Sequence, residues 1–399
     1  VPALLTVVPA PPAGPEQSRA LLTTVWPALR ACLDGAAPLA VLPAGDGPAA
    51  AARSVLRPDQ PLEAGTDLVV VTSGSTGAGK GVLLSAAALR ASATATLDRL
   101  GGPGSWLLSL PTSAVGGLQV LVRTALAGRE PVLLERGEPL AAALARLPAG
   151  DRRYASVVPT QLRRFLTEDP DALAAFDGVL VGGAATDAAL LAEARAVGVQ
   201  VRTTYGMSET AGGCVYDGRP LDGVRVRVGE GVGGRVGDGI GGRVGDGVEL
   251  AGPVLAHGYR LDPAATAEAF RDGWFRTRDA GSLSPDGLLT VTGRLDDVLI
   301  SGGVNVAPGA VEAALREHPS VADAVVTGLP DPEWGQRVVA VVVPAPGATP
   351  ELAELRPWVA ERLGAAAAPK QLHLTDAVPT LHTGKPDRRA VLRTLGETD

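Results

Sequence analysis

The chain reads as α/β, with a large N-terminal layered domain that carries a β-rich subdomain, followed by a small α+β domain. Three observations predict this. Short β-branched runs alternate with longer Ala- and Leu-rich segments from Leu68 to Thr204, the texture changes to strands and turns after Tyr205, and helical patterning returns past Gly293. At 399 residues the chain also exceeds the size at which one hydrophobic core usually stops growing.

The elements follow in order. Strand-like runs at Leu68 to Thr72, Trp106 to Leu110, Pro131 to Leu134, Ala155 to Val158, Val179 to Val181 and Val199 to Thr204 are apolar and too short for stable helices. Between them lie the helical segments Ser85 to Leu100, Gly117 to Ala127, Leu140 to Leu147, Gln161 to Leu166 and Asp187 to Val197, as in a layered sheet flanked by helices. Strands at Val224 to Val228, Val248 to Leu250 and Leu288 to Thr292 make up the β-rich subdomain. The last part is read as a helix from Pro308 to His318, strands at Ala324 to Thr327 and Val338 to Val343, and a helix from Glu351 to Leu363.

A hydrophobic content of 46% with 20% charged residues marks a globular chain. A formal net charge of -7 argues against nucleic acid or an anionic membrane surface as the main partner. No run approaches the length of a membrane span, and Val1 to Pro15 lacks a basic segment and is interrupted by prolines, so neither a transmembrane helix nor a signal peptide is expected. A cytoplasmic protein is the default. Cys32 and Cys214 stand far apart without a CxxC, which suits buried thiols better than a disulfide or zinc site.

One internal repeat stands out. GEGVGGRV at Gly229 is followed by GDGIGGRV at Gly237 and by GDGV at Gly245, an eight-residue period through residues 229–247. A calcium β-roll wants a nine-residue repeat and more copies, so the period reads as a Gly-rich loop or hairpin extension grown by duplication.

The sharpest chemical signal is TSGSTGAGKG at Thr72 to Gly81, directly after an apolar strand. Glycines let backbone N–H groups turn toward an anion, hydroxyls add donors, and Lys80 adds positive charge, so the segment reads as a phosphate loop. The bland alternative is a flexible Gly/Ser linker, against which the preceding strand and the lysine both count. Gly74, Gly79 and Lys80 also satisfy the spacing of a P-loop NTPase. Against that, Gly81 stands where a Ser or Thr should hold magnesium, and Val82 to Leu84 continue as a strand where a helix should open.

This segment resembles the signature loop of the adenylate-forming superfamily, which includes acyl-CoA synthetases, luciferases and peptide-synthetase adenylation domains. Other segments match that family in order. The resemblance implies an ATP site built from Thr72, Ser73, Gly74, Ser75, Thr76, Gly77 and Lys80 at the phosphates. It adds Gly182, Gly183 and Ala184 beside adenine, and Thr204, Tyr205, Gly206 and Ser208 from YGMSET. By the same resemblance Glu209 and Thr76 hold magnesium, Asp279 of WFRTRDAG binds the ribose hydroxyls, and Arg294 of GRLDD lies near ribose or phosphate. Asp296 is then the pivot between domains 1–294 and 297–399, which makes the C-terminal domain mobile, and Lys385 of TGKP reaches the acid and the α-phosphate. Without the ordered motifs a lone lysine there would be read as a solvated surface residue.

Ser301, Gly302 and Gly303 with Asn305, and the segment around Trp334, resemble the pantetheine channel of CoA ligases, although Trp334 taken alone would be a core aromatic. LPTSAVGGLQVLVRTALAG at Leu110 and SVVPTQLRRFL at Ser156 are similar to the o-succinylbenzoate-CoA ligases of menaquinone synthesis. Relatives often carry His near Ser113 and Ala114, and this chain has none there. The resemblance implies ATP, magnesium and coenzyme A as cofactors and a small carboxylic acid as substrate, and it leaves a homodimer open. Val115, Gly117, Gly183 and Tyr205 are the expected acid-pocket residues, with Arg123 as anchor for a second carboxylate. For Arg123 the plain alternative is an arginine paired at the helix surface. Two other functions stay open: an adenylating enzyme for another acid or for a carrier protein, and a non-catalytic nucleotide-binding homologue.

Overall fold

The computed structural model describes residues 4–11, 14, 16–72, 79–229, 246–295, 297–379 and 387–396. The octad repeat, Asp296, Lys385 and Ser73 to Gly77 lie outside them, apart from the repeat's ends. The chain divides into two compact units, Val1–Arg225 with Leu250–Phe275, and Val226–Glu249 with Arg276–Asp399. The strand-bearing segments 226–229, 246–249 and 276–294 group with the C-terminal part.

The first unit holds two sheets. In one, Thr6–Pro9, Leu39–Leu42 and Leu68–Thr72 run parallel, and Lys80–Leu84 and Gly258–Tyr259 continue the order antiparallel. Leu68–Thr72 carries three valines in a row and is buried over most of its length, which suits a strand covered on both faces. The helices Trp26–Leu33 and Asp46–Leu56, and the strand Leu39–Leu42, were not among the elements expected from the sequence.

The second sheet has seven strands, with Val201–Met207, Gly178–Val181, Arg153–Val157, Ser105–Leu108 and Val132–Leu133 parallel in that order. Gly212–Tyr216 and Arg219–Pro220 extend it antiparallel. Ala86–Arg99 is capped by Ser85, whose hydroxyl accepts from Ala88 N–H at 3.1 Å. Val115–Leu126 packs on Ala86–Arg99 and on the sheet and is buried on nearly every side, as its almost uniformly apolar sequence requires.

The second unit contains Arg225–Gly229, Asp246–Ala251, Trp274–Leu283 and Leu289–Arg294 as neighbouring strands, some of which begin or end just outside it. Its C-terminal part is the expected α+β fold. Val321–Asp331 and Gly335–Pro344 form a long hairpin, and along the other edge of Gly335–Pro344 lie Leu299–Ser301, which pairs in turn with Val304–Val306, and Gln371–Leu374, which runs parallel to it. Pro308–Arg316 and Leu352–Leu363 pack on the sheet around Val311, Leu315, Val326, Val338, Val342 and Leu355.

Candidate active site

In open α/β sheets ligands bind beyond the carboxyl ends of parallel strands. Three expected segments lie there in the first unit. Gly182–Ala184 follows Gly178–Val181, Tyr205 and Gly206 end the adjacent Val201–Met207, and Val115 and Gly117 open the helix after Ser105–Leu108. Gly182 and Thr204 meet so closely that a Cβ on residue 182 would collide with the Thr204 hydroxyl, so this crossing needs glycine. Thr204 donates to Val181 O at 3.3 Å. Ser208–Thr210 forms one tight turn, closed by the Thr210 hydroxyl, which accepts from Met207 N–H at 3.0 Å and lies 2.7 Å from Gly212 O. That turn presents Glu209.

Two paired strands, Leu68–Thr72 and Lys80–Leu84, flank the phosphate segment. Thr72 and Lys80 are register partners of an antiparallel pair, and the Thr72 hydroxyl donates to Lys80 O at 3.3 Å. A strand, Lys80–Leu84, stands where a P-loop NTPase opens a helix, which removes that alternative. A Cβ on Gly79 would lie 2.6 Å from Thr72 O, so the neck also requires glycine.

Lys80 and Glu209 converge on a residue that sequence reading missed. The Tyr259 hydroxyl donates to Glu209 Oε1 at 3.0 Å, and Lys80 Nζ lies 4.4 Å from the centre of its ring. The interaction with Glu209 spans fifty residues and follows no spacing rule, so no local pattern could announce it. Glu209 fits magnesium, a hard cation usually held by one or two carboxylates together with substrate phosphates. Thr76, its expected companion, lies outside the described residues.

Arg123 is 3% exposed, which overturns the surface-pairing alternative. Its Cζ sits 4.8 Å from the Trp106 ring centre, and an Nη is 3.4 Å from the Ser156 hydroxyl. Among the described residues its Nε has no hydrogen-bond partner. Burial pulls the guanidinium below its ordinary value, with Tyr216 acting the opposite way.

In the second unit Asp279 and Arg294 are cross-strand partners, with Nε and Oδ1 3.6 Å apart. The Asp279 N–H donates to the Thr277 hydroxyl at 3.0 Å, and that hydroxyl lies 2.8 Å from Val248 O. Gly302 N–H donates to Trp334 O at 2.8 Å. Gly302 has φ +61°, and a Cβ there would lie 2.9 Å from the indole. Trp334 is therefore a half-buried wall on a glycine turn and not the core aromatic that it could have been. Gly303 follows with open space around it, Ser301 is fully buried, and Lys370 Nζ lies 4.4 Å from the Trp334 ring centre.

Residues 17–260 match the model for AMP-binding enzymes, and residues 310–385 match the model for the AMP-binding enzyme C-terminal domain. The chain belongs to the AMP-binding enzyme family. A probable 2-succinylbenzoate–CoA ligase of Mycobacterium tuberculosis is 46% identical over 86% of this chain and 88% of its own length. The 2-succinylbenzoate–CoA ligase of Geobacillus kaustophilus is 33% identical, covering 83% and 70%. Among solved structures, o-succinylbenzoate CoA synthetase of Bacillus subtilis, in complex with its acyl-adenylate intermediate, is similar with TM-score 0.72 and 25% identity, over 92% of this chain and 80% of that one. The amide bond synthetase of Marinactinospora thermotolerans matches with TM-score 0.72 and 29% identity, over 95% and 82%. The family expected from the ordered motifs is the family found. Among the described residues no helix is long and apolar enough to cross a membrane.

Proposed function

We propose that the chain joins o-succinylbenzoate to coenzyme A through an acyl-adenylate, releasing AMP and pyrophosphate. One observation carries the adenylating chemistry: Glu209 and Lys80, a carboxylate for the metal and an ammonium for the phosphates, meet at one side chain beside the neck of the phosphate segment. The acid is supplied by the names of the relatives.

In the first step a carboxylate oxygen of the acid attacks the α-phosphorus of ATP, and pyrophosphate departs with the electron pair of the broken P–O bond. Negative charge builds on the phosphoryl oxygens. Lys80 and its loop hold the departing phosphates, and Lys385 meets the charge at the α-phosphate. Magnesium, held by Glu209 and Thr76, neutralises phosphate charge when bound. Tyr205 and Gly182–Ala184 take adenine, while Asp279 accepts from both ribose hydroxyls beside Arg294. In the second step the thiol sulfur attacks the acyl carbon and AMP leaves. A turn about Asp296, between domains 1–294 and 297–399, exchanges Lys385 for the Ser301–Gly303 and Trp334 segment along the pantetheine path. Coenzyme A, grouped above with the cofactors, is in this scheme a consumed substrate.

o-Succinylbenzoate carries a carboxylate that does not react. Arg123 lies about 9 Å along its helix from Gly117, by the rise per residue, and its buried charge is matched by an aromatic face and a hydroxyl. It is the anchor for that second carboxylate. AMP release from a panel of acids, with and without coenzyme A, tests the reading. o-Succinylbenzoate should give the highest kcat/KM and need the thiol for sustained turnover. Arg123→Met, which keeps an unbranched apolar stem, should raise its KM about tenfold and leave that for ATP unchanged. Absence of o-succinylbenzoate turnover would reject the acid, and an unchanged KM would reject the anchor.

A further inference from the structure

Tyr259 lies on the two-residue strand Gly258–Tyr259, opposite Val82 of Lys80–Leu84. Side chains two apart on a strand share a face, and diagonal neighbours across an antiparallel pair are within reach of an aromatic ring. The register alone therefore places Lys80 beside Tyr259, and the ammonium sits over its face at 4.4 Å. From the other side Glu209 meets the hydroxyl at 3.0 Å, while Ala256 N–H donates to the Glu209 backbone oxygen at 2.8 Å. One short segment thus holds both the backbone and the carboxylate of Glu209.

The ring is itself fixed. Tyr259 is 6% exposed, its N–H donates to the Thr266 hydroxyl at 2.9 Å, and its ring meets Phe270 edge-on at 5.7 Å. The next residue, Arg260, donates its N–H to Gly81 O at 2.7 Å. Its buried guanidinium bonds to the carbonyls of Leu56, Arg57, Gln60 and Pro61 and to Glu63. A buried phenol needs a hydrogen-bond partner, and any backbone carbonyl would serve for packing. Here the partner is the motif carboxylate, and the face is given to the motif lysine.

We propose that Tyr259 is a positioning residue for adenylation: its hydroxyl orients the Glu209 carboxylate for magnesium, and its face holds the Lys80 ammonium at the loop neck until the triphosphate takes it over. The proposal rests on the metal and phosphate roles given above to Glu209 and Lys80. Two functions of one ring are separable by substitution. Tyr259→Phe removes the hydroxyl and keeps the face, and Tyr259→Leu removes both.

Calorimetric titration of the full chain with ATP, in saturating magnesium and in EDTA, reads the two roles without turnover. Tyr259→Phe should weaken the magnesium-dependent gain in ATP affinity roughly tenfold, as loss of a hydrogen bond to a charged group does, and leave ATP affinity in EDTA unchanged. Tyr259→Leu should weaken both. Adding Tyr259→Phe to Glu209→Gln should cause no further loss of the magnesium effect. Equal losses with and without metal in Tyr259→Phe, or additive losses in the double variant, would show a packing role and overturn the proposal. A wild-type magnesium effect in Tyr259→Phe, with that of Glu209→Gln reduced, would overturn it and leave the proposed function standing. A wild-type effect in Glu209→Gln would overturn the metal role and this inference with it.

Discussion

The two units hold their candidate groups in different ways. In the first, Glu209 is tied to Tyr259 fifty residues away, and Arg260 reaches back about two hundred residues to the segment 56–63. In the second, Asp279 and Arg294 face each other across adjacent strands of one hairpin, and Trp334 packs on the Gly302 turn within one small sheet. Geometry in the first unit depends on long-range polar ties, each closing a long loop of chain, whereas the second relies on hairpin register and glycine turns. Removing one tie in the first unit should therefore disturb several groups, and a substitution in the second should disturb one.

The largest expected effect is that of Lys385→Ala. It should lower adenylation at least a hundredfold, measured by pyrophosphate exchange into ATP, and spare thioester formation from supplied acyl-adenylate, because its charge is needed only while phosphoryl charge develops. Equal loss of both halves would break the assignment of one step to that lysine.

Next comes Arg260→Met. The variant leaves four backbone carbonyls and Glu63 without the guanidinium, and it should cost about 3 kcal/mol in denaturant unfolding. It should also raise KM for ATP, since Tyr259 is the residue directly before Arg260 in the chain. A stable variant with wild-type KM would show that the long-range ties are dispensable.

Gly302→Ala should act most narrowly. Alanine at φ +61° is strained and meets the Trp334 ring, so thioester formation should slow about tenfold while pyrophosphate exchange stays near wild type. Slowing of both halves to the same degree would remove the contrast between the units.

Much of this was legible in the residues. The alternation from Leu68 onward marks strands and helices because burial imposes its period on the side chains, and the core strands and helices fall within a few residues of expectation. The family was legible in the ordered motifs, because phosphate, metal and diol chemistry each demand a narrow set of side chains. The N-terminal helices Trp26–Leu33 and Asp46–Leu56 were missed, as were Tyr259, Arg260 and the role of Ser156 beside Arg123.

By itself the sequence determined the fold class, the family and the chemistry available at each motif, since these follow from local periodicity and residue type. Tertiary structure alone decided that Arg123 is buried against Trp106, that Trp334 walls a glycine turn, and that Tyr259 stands between Glu209 and Lys80. Those facts depend on which strands pair and in what register, and a register is set by packing across the whole sheet and not by any neighbouring residues in the chain.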